Sequence, residues 1–129
     1  MYFNKIESFI SQLGYYISYK DENEGIFCIE SEEDGIKNLI IGVAPPIVVM
    51  EQFIFTLKSD DKEILKSLLK KNRDIVHGAF VLDETGSRVI FRYTMQVESL
   101  DVNELEGALN SLGLLLGEYY EQIIEFSKQ

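Results

Sequence analysis

The chain has 129 residues, 46% of them hydrophobic, with 22 acidic and 12 basic side chains and a formal net charge of −10. Such a balance suits one globular domain over residues 1–129, large enough to bury its own core, and argues against a nucleic-acid partner or an anionic membrane surface, since both need a basic face. The longest apolar run, Leu39 to Met50, is cut by Gly42 and Pro45-Pro46 and falls short of the about 18 residues of a membrane span.

In chain order, the first predicted element is a helix from Tyr2 to Leu13, because Phe3, Ile6, Phe9, Ile10 and Leu13 recur every three or four residues on one face. Gly14 is its stop. Tyr15 to Lys20 alternates, with Tyr15, Ile17 and Tyr19 on one side, and pairs across the Asp21–Gly25 turn with a strand from Ile26 to Glu30. A second turn ends at Gly35, and Asn38 to Val43, apolar on both faces, reads as a central strand. Pro45-Pro46 turns the chain. Ile47 to Leu57 is then the longest strand, with Val49, Phe53, Phe55 and Leu57 on one face and Val48, Met50 and Ile54 on the other.

Asp60 and Glu63 form a capping box for a second helix with the stripe Ile64, Leu65, Leu68 and Leu69. Gly78 to Leu82 and Arg88 to Val97 are two more strands around a tight turn. Asp101 or Asn103 caps a long last helix with the stripe Leu105, Leu109, Leu112, Leu116, Tyr119, Ile123 and Phe126. The expected fold is α+β, an antiparallel sheet of five to six strands flanked by three helices, in the order α-β-β-β-β-α-β-β-α.

Reactive chemistry is sparse. The chain has one histidine, one cysteine and no GxGxxG, P-loop, HExxH, GxSxG or CxxC motif. Cys28 allows no internal disulfide and fits a buried small hydrophobe in a reducing cytoplasm. The first residues lack the basic-then-apolar order of a signal peptide. The expectation is a non-enzyme with no metal and no cofactor. The acids read as a solvated surface, and five bases between Lys62 and Arg73 read as a solvated helix face.

The most distinctive stretch joins the second helix to the fifth strand. One reading is a polar ligand pocket of Asn72, Arg73, His77 and Arg92. The other is a structural junction whose polar groups satisfy one another. Tyr119-Tyr120 and Tyr15-Tyr16 each place one ring off the main stripe, where it could serve an interface.

The element order, Asn72-Arg73 followed by His77-Gly78-Ala79-Phe80, and Phe91-Arg92-Tyr93-Thr94 leading into Leu100 to Glu106 together resemble the YbjN-type bacterial proteins. These are similar in fold to type III secretion chaperones of the Tir-chaperone kind. The resemblance covers nearly the whole chain and implies a small, acidic, cytoplasmic, non-enzymatic protein, usually a homodimer. Such chaperones hold a partner's segment extended, in apolar grooves and by strand addition. The expected partners are therefore a second copy and a client protein. Ile64, Leu65 and Leu68, with Met50 and Phe53 of the neighbouring strands, are the expected contact.

Overall fold

Tight turns dictate the architecture. The computed structural model describes residues 2–58 and 61–128. After helix α1 (Tyr2–Gln12) come strands β1 (Tyr16–Asp21), β2 (Ile26–Ser31), β3 (Ile36–Ala44) and β4 (Ile47–Thr56), with a single 3-10 turn at Glu32–Asp34 between β2 and β3. Helix α2 (Lys62–Asn72), strands β5 (Ala79–Leu82) and β6 (Arg88–Gln96), and helices α3 (Val102–Glu118) and α4 (Tyr120–Lys128) complete the chain. Short connections force neighbours antiparallel, and the six strands lie in the order β1-β2-β3-β4-β6-β5.

The expected α+β fold and strand count are observed, with one correction: the described residues form four α-helices, not three. The last apolar stripe is interrupted at Tyr119, whose φ of −102° and ψ of 10° leave the helical range. Gly113 and Gly117 precede the break, and glycine weakens a helix interior. The change of direction lays the Phe126 ring against Phe55, centroids 5.9 Å apart.

Local chemistry explains the helix ends. The expected cap Asp60 lies outside the described residues. Asp61 caps α2, its Oδ1 accepting from the Glu63 and Ile64 N–H groups at 2.9 and 3.3 Å. Asp101 caps α3 by accepting from Glu104 N–H at 2.7 Å. Gly14 ends α1 with φ +80°, a conformation that needs no Cβ.

All four helices pack on the same face of the sheet. Phe3 of α1 stacks on Phe27 of β2 at 4.2 Å. Ile6, Ile10, Ile41, Met50, Phe91, Leu105, Leu109 and Leu112 share one core with them. Bulges decide which side chains join that core. In β4 the register shifts between Phe53 and Phe55, so Val48, Met50 and Gln52, then Phe55 and Leu57, are buried. The expectation that Phe53 shares a face with Phe55 is thereby corrected, since a bulge inverts the alternation of every later residue. A second bulge between Ile17 and Tyr19 places Ile17 against the helix layer and turns Tyr19 away from it.

Candidate functional site

Because the helices cover one face, the other face of the sheet meets solvent. It presents Tyr16 and Tyr19 from β1, Ile40 from β3 and Phe53 from β4, 68%, 57%, 39% and 45% exposed. Partly buried Cys28, Val49 and Ile90 lie among them. Polar contacts hold this surface in place. Arg92 of β6 donates to Glu51 of β4 at 2.9 Å, and the Arg88 guanidinium sits 4.5 Å above the Phe53 ring.

A groove continues from this face around Phe53. The β3–β4 pairing runs from Ala44 opposite Ile47 to Ile40 opposite Glu51. Beyond it, Lys37 N–H is taken by the Gln52 side-chain oxygen at 3.4 Å. The resulting opening has a volume of about 910 Å³ and is walled by α3, α4 and the Glu32–Asp34 turn. Exposed Leu114 of α3 and exposed Tyr120 and Ile124 of α4 line it.

The residues predicted as one contact patch are not brought onto one surface. Met50, Ile64 and Leu68 are buried in the protomer core, because each points into the sheet–helix layer. Leu65 packs partly against that core. Phe53 faces outward on the opposite side. On α2 the outward residue is Leu69, 71% exposed.

The four polar residues do not converge either. Asn72 Nδ2 donates to Phe80 O at 3.0 Å, and Phe80 N–H donates to Asn72 Oδ1 at 2.8 Å. Asn72 therefore serves the junction between α2 and β5. Arg73 is an exposed helix-end residue. His77 Nδ1 lies 3.1 Å from the Tyr93 hydroxyl, on the helix side. Arg92 points to the opposite face, where it meets Glu51. Among the described residues no cluster of three His, Cys, Asp or Glu side chains could hold a metal, and no helix is long and apolar enough to cross a membrane.

Burial and hydrogen bonding perturb a few groups. Burial, then the Asp34 carboxylate 3.5 Å from its hydroxyl, push the Tyr15 phenol up to about 12. Burial lowers the Lys71 ammonium, which donates to Ser67 at 2.8 Å and lies 5.0 and 5.7 Å from the Tyr119 and Phe126 rings. The Thr85 hydroxyl holds the Asp83 carboxyl below its ordinary range. Of these groups Asp83 borders the open sheet face, beside Arg88 and Phe53.

Sequence reasoning found the outward rings of Tyr16 and Tyr120 but missed Leu114. Its signal was present: Leu114-Leu115-Leu116 cannot all face inward on a helix that turns about 100° per residue.

A sheet covered on one face, with an apolar second face open to solvent, has the character of a binding domain. The model of the CesT_Tir_1 family matches residues 1–129, and the chain belongs to that family. Similar solved structures agree in fold. YbjN from E. coli superposes with a TM-score of 0.69 at 8% identity, covering 92% of this chain and 91% of that one. The structure of the HopA1-SchA chaperone-effector complex gives 0.62 at 16% identity, over 98% and 94%. The Yersinia pestis type III secretion chaperone SycH, solved with a stable fragment of YscM2, gives 0.59 at 15% identity, over 98% and 100%. No curated protein matches the sequence.

Proposed function

We propose that this chain is a non-enzymatic, chaperone-like scaffold that pairs with a second copy of itself and holds an extended segment of a partner protein. One observation carries the reading: Tyr16, Tyr19, Ile40 and Phe53 stand exposed on a sheet face that none of the described helices covers. Apolar surface gains about 25 cal/mol per Å² on leaving water, and patches of it mark protein contact sites. Membership of the CesT_Tir_1 family supports the reading, as do two neighbours in fold, one solved as a chaperone-effector complex and one a chaperone solved with a fragment of YscM2. Helix α2 is the proposed contact between copies, through Leu65 and the exposed Leu69.

The test uses the full chain. Light scattering after size exclusion, at micromolar concentration, should give a dimer mass for the wild type and a monomer mass for Leu69→Glu. Tyr19→Asp and Ile40→Asp should keep the fold by circular dichroism and release a protein that co-purifies with the wild type. A strictly monomeric wild type whose co-purifying proteins are unchanged by both face substitutions would overturn the proposal.

A further inference from the structure

The groove beside the open face has its own chemistry. Four of the large apolar side chains that remain exposed, Phe53, Leu114, Tyr120 and Ile124, line it together. Its rim carries three consecutive acids, Glu32, Glu33 and Asp34, and no basic residue lines it. Facing this rim, a cation flanking an apolar segment would meet attraction from the three carboxylates.

A second observation is independent of charge. Gln52 is only 6% exposed and lines the same groove. Its oxygen accepts from Lys37 N–H, while among the described residues its amide nitrogen has no bonding partner within the chain. A side-chain amide carries two N–H donors, and among the described residues no buried side-chain nitrogen lacks a partner, so this one reaches the solvent of the groove. Here they are available to a carbonyl oxygen of a bound backbone.

From this geometry we infer that the groove between the Glu32–Asp34 turn and α3–α4 binds a short peptide segment of the client, apolar at its centre and flanked by lysine or arginine. The apolar residues fill the space between Phe53 and Leu114, the cations face the acidic rim, and a backbone carbonyl accepts from Gln52. This assignment rests on the scaffold reading above and adds the chemistry of the segment. A second copy is a poorer occupant. It repeats the net charge of −10, and its basic helix α2 is already assigned to the contact between copies.

Fluorescence anisotropy tests the site on the full chain, with two short fluorescein-labelled peptides. One alternates leucine and arginine, and the other replaces each arginine with glutamate. The leucine–arginine peptide should bind, less tightly as salt rises, and the leucine–glutamate peptide should not. Leu114→Asp, and Glu32→Lys combined with Glu33→Lys, should each weaken binding at least about tenfold. Leu114 is 75% exposed, so its substitution leaves the core intact, and circular dichroism verifies this. Tyr19→Asp, on the open sheet face, should change binding by less than about twofold. Equal affinity in every groove variant, or no binding by the wild type, overturns the groove assignment. Loss with Tyr19→Asp alone moves the segment to the open face, which overturns the groove and leaves the scaffold reading standing. A reduced mass of the groove variants in light scattering, with undiminished peptide binding, makes a second copy the occupant and also overturns it.

Discussion

Replacing Asn72 with alanine removes the side chain that ties α2 to β5. Two hydrogen bonds disappear, at 2.8 and 3.0 Å, both to backbone groups of Phe80. A neutral hydrogen bond contributes about 1 kcal/mol net, and a backbone group left dry costs somewhat more. The Phe80 side chain is 5% exposed, so water reaches this backbone poorly. The expected loss is about 2 kcal/mol, or about 8 °C in Tm for a domain of this size. Urea unfolding followed by circular dichroism measures it, with an unchanged slope showing that the native state keeps its compactness. Asn72→Asp sharpens the test. The substituted carboxylate keeps an acceptor for Phe80 N–H but turns an oxygen toward Phe80 O. It should destabilise at neutral pH and recover partly on acidification, when the protonated carboxyl can again donate. A loss below about 0.5 kcal/mol for Asn72→Ala, the size of an ordinary surface substitution, would refute the junction role.

Three further outcomes are expected. Gly78→Ala should cost about 3 kcal/mol or more, or leave the protein insoluble, because φ is +98° and a Cβ there would strike the Phe91 ring and lie 2.9 Å from Arg92 O; thermal melting reads it. Asp101→Ala should lower stability by about 1 kcal/mol through the lost α3 cap, measured by urea unfolding. Tyr15 has a folded pKa of about 12 against an ordinary 10.0. Its neutral form is favoured by folding, so that stability is complete below pH 10 and is lost as pH rises toward 12. A Tyr15→Phe variant should show a shallower decline across that alkaline window in pH-dependent melts, and an identical decline would count against the assignment.

Element order was legible in the sequence because periodicity and turn chemistry are local. The alternation in β6 placed Val89, Phe91 and Met95 inward as observed, and Pro45-Pro46 marked the β3–β4 turn. What escaped was set by single-residue irregularities. Nothing in Gln52-Phe53-Ile54-Phe55 announces a bulge, since each residue is compatible with either face. Yet that bulge sends Phe55 to the core and Phe53 to solvent. Likewise the last helical stripe keeps its period through Tyr119, and only the packing of Phe126 on Phe55 reveals the break. The candidate surface inherits these blind spots: Tyr16 and Tyr120 stood out as paired tyrosines, whereas the groove depends on where two strands part. Met50, Ile64 and Leu68 looked equally suited to an interface or a core, because apolarity does not say which neighbour will cover it.

Asn72 has one more effect. It occupies both backbone groups by which Phe80 could accept another strand, and β5 is only four residues long. The opposite margin, β1, has no strand beyond it among the described residues. In the vocabulary of polymer chemistry the sheet is monofunctional: a unit with one reactive end can couple once and then terminates, whereas propagation into a fibre requires two.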